Sequence, residues 1–135
     1  MRLARPLRAL LTTFLTLTAT PLLGGCYMLA DVEHNHAVAG QLEPGQSLDA
    51  ALETLGQGAG RVELESEVER PLDGDWAAAL KGLQLETLEA FERDHGPVQR
   101  FVEVRRFWGL RGFGVFHLGF DANGELLAHR LVHYN

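Results

Sequence analysis

Residues 115–126 read Val-Phe-His-Leu-Gly-Phe-Asp-Ala-Asn-Gly-Glu-Leu, an apolar strand pattern that runs into a tight turn. The turn, Asp121 to Glu125, is typical of a three-residue hairpin loop built on a type I turn, with Gly124 as its left-handed residue. The pairs expected across this hairpin are Phe120 with Leu126, Leu118 with Ala128, and His117 with His129. On that register, one sheet face lies under the helices and carries Phe116, Leu118, Phe120, Leu126 and Ala128.

Strand patterns extend in both directions from this hairpin. Segments 98–108 and 126–134 complete a three-stranded antiparallel meander. Residues 61–70 alternate Val62, Leu64, Ser66 and Val68 with four glutamates, which predicts a further, half-exposed strand. Because residues on one face of a strand lie roughly 6.5–7 Å apart, the glutamates suit a solvated face better than a metal site.

Two helical stretches precede the meander. The first is capped by Ser47 and ends at Leu55, with Gly56 expected in the left-handed position after the helix. The second covers residues 75–95, with Asp75 as its cap and a break at Gly82. We therefore predict an α+β fold in which two or three short helices pack on one face of a small antiparallel sheet. This single domain covers residues 47–135, and residues 26–46 are predicted to be an acylated N-terminus and a tether.

The start of the chain has the pattern of a targeting segment. Arg2, Arg5 and Arg8 precede an apolar run that ends at Leu23-Gly24-Gly25-Cys26, and Pro21 interrupts that run. The run is shorter than the roughly 20 apolar residues that a spanning helix needs. The four-residue motif resembles the lipobox of bacterial lipoproteins, which implies removal of residues 1–25 and acylation of Cys26. An ordinary secretory peptide and an uncleaved anchor are the alternatives.

Composition limits the partners. The 135 residues carry a formal net charge of −6, and no acidic residue precedes Asp31, so the composition argues against nucleic acid as a partner. Cys26 is the single cysteine, which excludes a disulfide within the chain and leaves acylation as the explanation of the thiol. Tyr27 stands where an aspartate retains some lipoproteins in the inner membrane. With Tyr27 at this position, we predict that the protein is anchored at the periplasmic face of the outer membrane. The inner membrane is the alternative.

Two segments together suggest a family. Residues 45–58 resemble the motif of the SmpA/OmlA (BamE-like) lipoproteins, in which Gly-Met-Thr/Ser leads through a short helix to Leu-Gly-x-Pro; here Gln46 replaces Met and Gly58 replaces Pro. Residues 115–126 resemble the last hairpin of that family. The resemblance implies two helices on a three-stranded sheet and an accessory role in outer-membrane β-barrel assembly. Relatives of the fold act as inhibitors that bind enzymes through the sheet.

The segment from Arg61 to His95 has no counterpart in that family pattern. Residues 82–97 loosely repeat the motif of residues 45–58. The segment is therefore either an insertion or one half of a degenerate duplication, and the helix that corresponds to the family motif is either of the two.

No catalytic motif is present, so we predict no enzymatic activity, no small-molecule substrate and no cofactor apart from the lipid on Cys26. His117 opposite His129 is a candidate metal pair, because cross-strand Cβ atoms lie roughly 4.5–5.5 Å apart. A catalytic zinc site has three protein ligands, and this pair supplies two. His34 and His36, in the predicted tether, are a weaker candidate for a divalent metal.

A basic and aromatic segment is the best candidate surface for a protein partner or for lipid phosphates. Its residues are Arg100, Arg105, Arg106, Phe107, Trp108 and Arg111. The alternative places Trp108 in the core and pairs the arginines with the glutamates of residues 63–69. The overall prediction is a lipid-anchored envelope protein with an accessory or scaffolding role. A periplasmic binding module, either an enzyme inhibitor or a weak metal binder, is the alternative.

Overall fold

A computed structural model of the chain describes residues 32–58, 61–80, 82–107 and 113–134. Residues 34–135 form one compact unit, and of the unit formed by residues 1–33 only Val32 and Glu33 are described. The predicted lipobox from Leu23 to Cys26 lies outside the described residues, as do Trp108 and Arg111.

The described residues contain four helices and a four-stranded antiparallel sheet. Residues 32–39 are helical and are called α1. The other elements are α2 (Leu48–Leu55), β1 (Arg61–Glu69), α3 (Trp76–Ala79), α4 (Leu83–His95), β2 (Arg100–Phe107), β3 (Phe113–Phe120) and β4 (Leu126–Tyr134). The strand order is β1-β2-β3-β4, and neighbouring strands are antiparallel. The α+β class and the meander of β2, β3 and β4 are confirmed.

Local signals placed the start of α2, the start of α3 and the break before α4 correctly. Ser47 caps α2, since its hydroxyl accepts a hydrogen bond of 3.2 Å from the Ala50 N–H. Asp75 caps α3 in the same way, through a 2.9 Å bond from the Ala77 N–H. Gly82, at φ 59°, separates α3 from α4 as predicted. The prediction for Gly56 was wrong, because its φ and ψ of −79° and −2° are right-handed.

The hairpin loop between β3 and β4 also forms as predicted. The Asp121 N–H donates to the Glu125 carbonyl at 2.9 Å, and Gly124 has a φ of 77°. The Asp121 carboxylate accepts hydrogen bonds from the backbone N–H groups of Asn123 and Glu125, at 2.8 and 2.9 Å. This side chain mimics a backbone acceptor and holds the turn closed. Phe120 pairs with Leu126, as the loop length requires.

A bulge at the start of β4 changes the pairing beyond that point. The ladder shifts by one residue, so that Gly119 faces Ala128, Leu118 faces His129, and His117 faces Arg130. The predicted pairs of Leu118 with Ala128 and of His117 with His129 were wrong. The extra residue is Leu127, whose side chain is 46% exposed. Because side chains alternate between faces, one inserted residue transfers every later side chain to the opposite face.

A second bulge lies in β1. Leu64 faces Val104, whereas Ser66 faces Glu103, so one residue between them has no partner. As a result Val62 packs against one core of the protein and Val68 against the other. The prediction that the apolar residues of this strand share a face was wrong. The glutamates at positions 63, 65, 67 and 69 are exposed, as expected.

Helices cover both faces of the sheet, and each face has its own core. On the first face, α1 and α2 pack against the meander; this core comprises Val38, Ala39, Leu42, Ala51, Leu55, Val102, Val104, Phe116, Leu118, Phe120 and Leu126. On the second face, α3 and α4 pack against the sheet; this core comprises Trp76, Leu80, Leu88, Phe91, Val98 and Phe101. The prediction that all helices lie on one face was wrong, because β2 has apolar residues on both of its faces.

The predicted tether is partly folded into the compact unit. Val38, Ala39 and Leu42 are buried in the first core. The loop after them pairs with β4, since the Gly45 N–H donates to the Leu126 carbonyl and the Leu126 N–H donates to the Gln46 carbonyl, each at 2.8 Å. The compact unit therefore begins at residue 34 instead of residue 47. Residues 26–31 lie outside the described residues.

Candidate functional site

Arg106, predicted on a binding surface, is fully buried between the helices and the sheet. Its guanidinium donates to the carbonyls of Leu55 at 2.6 Å and Gln57 at 2.9 Å, and to the Asn35 side-chain oxygen at 2.7 Å. Burial lowers the pKa of this guanidinium. A cation at the end of α2 is favourable, because the last carbonyls of a helix have no partner within the helix. Arg106 therefore joins α1 and the end of α2 to β2 through hydrogen bonds. Because it is buried, it does not form part of the predicted binding surface.

The other described residues of that predicted surface are engaged with β1 or with aromatic rings. Arg100 forms ion pairs with Glu67 at 3.4 Å and Glu69 at 2.8 Å. The Arg105 Nε lies 3.2 Å from the Glu65 carboxylate, without the alignment of a hydrogen bond. The rings of Phe113 and Phe107 lie under guanidinium groups of Arg105 and Arg61, at 4.7 and 4.5 Å. Of the alternative, the structure shows the pairing of Arg100 and Arg105 with β1 glutamates, whereas Arg106 donates to the two carbonyls and to Asn35. Its other part, Trp108 in the core, lies outside the described residues.

The candidate metal pair is not brought together. His117 lies on the second face, opposite Arg130, whereas His129 is paired with Leu118 of the first core. His117 is 3% exposed, and its Nε2 lies 3.1 Å from a Glu103 carboxylate oxygen. Desolvation by burial lowers the pKa of His117, although Glu103 acts in the opposite direction. Among the described residues, no group of three or more His, Cys, Asp or Glu side chains is arranged to hold a metal. His34 and His36 are helical residues and not part of a tether.

The free edge of β4 is a site that sequence reasoning missed. The Leu126 N–H and carbonyl turn away from β3 and bond to the loop at Gln46 and Gly45. In an antiparallel ladder, alternate residues direct both backbone groups to the same side. After the bulge, the register makes His129 and Leu131 the next residues with both groups on the free side. Within the described part of the chain, no strand pairs with β4 on this side.

A shallow cavity of about 250 Å³ lies along this edge. Its lining residues are Pro44, His95, Leu126, Leu127, Ala128 and His129. Burial, and secondly repulsion from His95, lower the pKa of His129. β4 has Arg130 and two histidines but no acidic residue. Arg130 lies 3.8 Å from a carboxylate oxygen of Asp94, and both side chains are exposed.

The two edges of the sheet therefore differ in charge. β1 presents four glutamates, whereas β4 presents basic and apolar residues. The absence of acid from β4 is visible in the sequence of this acidic chain, and it is the signal that could have identified this edge. That β4 is an edge strand, and that Pro44 and His95 flank it, depends on contacts between distant segments.

Comparisons of the chain with protein-family models, with curated proteins and with solved structures gave no match. Across residues 32–58, 61–80, 82–107 and 113–134, no helix is both long enough and apolar enough to cross a membrane.

Proposed function

We propose that this protein is a lipid-anchored envelope lipoprotein with a non-enzymatic accessory role at the periplasmic face of the outer membrane, in outer-membrane protein assembly. The observation that carries the proposal is Leu23-Gly24-Gly25-Cys26, the site of the only cysteine, placed after a basic start and a short apolar run. One acyl chain anchors a protein marginally and several anchor it stably. The attachment would hold a small folded domain at the membrane.

The arrangement of α1, α2 and the meander supports the family resemblance behind this proposal. Two helices on a three-stranded antiparallel sheet is the fold that the resemblance implies, and the first core is built in that way. The motif-bearing helix α2 packs on this side, where Leu55 is fully buried. The additional segment, β1 with α3 and α4, adds an edge strand and a layer on the opposite face. This placement favours an insertion over a duplication.

Metabolic labelling with an alkyne analogue of palmitate tests the anchor. We expect the wild-type chain, expressed in a Gram-negative host, to incorporate label and to stay with the membranes after a high-salt wash. Cys26→Ser removes the acyl acceptor, and it should lose the label and leave the washed membrane fraction. The double variant Cys26→Ser, Ala122→Cys is the matched control, since it keeps one thiol on an exposed turn but outside the lipobox. Label in either variant would contradict the proposal.

Crosslinking of the anchored chain in intact envelopes tests the accessory role. The expected result is the capture of a component of the β-barrel assembly machinery, identified by mass spectrometry. Capture of only a soluble periplasmic enzyme would contradict this role and would favour an inhibitor, the alternative function.

A further inference from the structure

We propose that the free edge of β4 binds an extended, acidic segment of a partner protein, which adds to the sheet as a fifth strand. This inference deepens the proposed function, because it names the chemistry of the partner, and it rests on that function for the existence of an envelope partner. Addition of a strand to an exposed edge is a general mode of peptide recognition, in which main-chain bonds provide affinity and side-chain pockets provide specificity.

The backbone of β4 has N–H and carbonyl groups directed toward the position of such a strand. The loop at Gly45 and Gln46 already makes the first two edge bonds, both to Leu126. His129 and Leu131 then turn their N–H and carbonyl groups to the same side. An exposed edge of this kind is usually protected by charge, proline or a bulge. The bulge at Leu127 precedes the open part of the strand and leaves the positions from Ala128 onward regularly paired with β3.

The side chains at this edge favour an acidic occupant. β4 carries Arg130 and no acidic residue; Arg130 is exposed, and its 3.8 Å ion pair with the exposed Asp94 uses only part of the N–H donors of a guanidinium. His95 and His129 line the cavity, where their imidazole N–H groups serve as hydrogen-bond donors and not as fixed charges. Opposite charges directly across a strand pair are stabilising, and like charges are destabilising. A symmetric pair of β4 strands would bring two copies of Arg130 into one short ladder, and this repulsion disfavours a second copy bound through the same edge. A copy bound through its glutamate-rich β1 would leave a free edge at each end and build an open chain.

The cavity also limits where the acidic side chain lies. Pro44 and His95 line it together with Leu126 to His129. Because the bonds from the loop end at Leu126, a strand added beyond that point runs along these residues. A glutamate or aspartate on that strand is within reach of the imidazole groups, which donate hydrogen bonds to a carboxylate.

Peptide binding to the full chain, purified in detergent, tests the proposal. The probe is a fluorescent, ten-residue peptide of alternating valine and glutamate, followed by anisotropy at pH 7.5. The charge control replaces each glutamate with lysine. The backbone control carries N-methyl groups at its four central residues, which blocks both peptide edges. We expect saturable binding of the first peptide and binding at least tenfold weaker for both controls.

A pair of charge-reversal variants localises the site. Arg130→Glu should weaken binding of the Val-Glu peptide at least tenfold. Arg61→Glu makes the same change of charge on the opposite edge and should alter binding less than twofold. Equal binding of the N-methylated peptide, or an unchanged affinity in Arg130→Glu, would overturn the proposal. Self-association of the full chain in sedimentation, abolished by Arg130→Glu, would also overturn it, because the occupant would then be a second copy. None of these results depends on Cys26 labelling, so the anchor and the edge are tested separately.

Discussion

At the scale of single residues, buried arginine has a structural role that the sequence pattern does not show. Arg106 follows Arg105 in β2, and its place in a basic and aromatic segment predicted that it lies on a binding surface. The structure instead directs the Arg106 guanidinium to two carbonyls and one amide oxygen. Arg70 acts similarly on the second face, where it pairs with Glu92, donates to the Val98 carbonyl at 3.0 Å and lies over Trp76. Each arginine joins segments that are far apart in the sequence.

The burial of the His117 side chain predicts that the stability of the protein depends on pH. Burial in the folded protein lowers the pKa of this residue below 6.5, the ordinary value for histidine in an unfolded chain. Below that value the unfolded chain binds more protons, so the free energy of unfolding falls as the pH decreases through and below 6.5. Glu103 opposes this effect, and Arg130, which faces His117 from β4, adds to it. We expect the urea midpoint of His117→Gln to fall less than that of the wild type between pH 7.5 and 5.5.

His36→Gln is the control for this measurement, since it removes an exposed histidine of α1. It should reproduce the wild-type fall of the urea midpoint. His129, whose pKa is also lowered, contributes with the same sign as His117, so a part of the fall remains in His117→Gln. Parallel curves for His117→Gln and the wild type would contradict this explanation.

At the scale of elements, two bulges determine which face each edge strand presents. The alternating pattern of residues 61–70 and the hairpin turn before residue 126 predicted β1 and β4 correctly, but each ladder is interrupted in space with no sign of it in the sequence. In β1 the bulge sends Val62 and Val68 to different cores. In β4 it separates Ala128 from Leu126. A bulge inserts one residue without breaking the strand, so a period-two pattern gives no sign of it.

Gly119 is a point of close approach between β3 and the second core. A Cβ at this position would lie 2.5 Å from Val98 Cγ1 and 2.7 Å from Phe91 Cε1. Both residues belong to the second core, and Phe91 is fully buried. Gly119→Ala therefore overpacks the contact between helix and sheet, and we expect the free energy of unfolding to fall by about 1–3 kcal/mol in urea denaturation.

Gly40→Ala is the matched control for this substitution. A Cβ there meets only the Ala37 and His36 carbonyl oxygens, at 3.5 and 3.6 Å, which are ordinary contacts. Its effect should stay within about 0.5 kcal/mol. If Gly119→Ala were as mild as Gly40→Ala, α4 would not pack closely on β3.

At the scale of the whole molecule, the sheet is a central layer with helices on both sides. The helix α1 belongs to the layer on the first face. Leu42 tests this architecture, because it is 5% exposed and packs in the first core. Leu42→Ala should lower the free energy of unfolding by about 2–5 kcal/mol, through lost burial and the cavity left behind. If residues 26–46 were a tether, Leu42→Ala would not lower the free energy of unfolding.

Gln41→Ala, at the exposed neighbouring position, is the control and should change the free energy of unfolding by less than about 0.5 kcal/mol. Both variants are measured by urea denaturation of the full chain in detergent. Equal stability of Leu42→Ala and Gln41→Ala would contradict the placement of this segment in the core.

Local chemistry in the sequence determined the elements of this protein. The caps Ser47 and Asp75, the breaks at Gly82 and Gly96, and the turn from Asp121 to Glu125 act through dihedral angles and hydrogen bonds between residues a few positions apart. These interactions need no distant partner, and they are sufficient to predict α2, α3, α4, the strands and the meander. They did not predict α1, which lies in the segment expected to be a tether. The lipobox is also a local pattern, and acylation of Cys26 stays a prediction.

Only the tertiary structure decided the faces, the burial of Arg106 and the separation of His117 from His129. Each depends on which residue of a distant strand lies opposite, and a shift of one residue in that register reverses the outcome. The same is true of the β4 edge, where Pro44 and His95 come from segments about 80 and 30 positions before the strand in the printed sequence. Contacts of this kind depend on packing between segments, because no interaction within a few residues selects them.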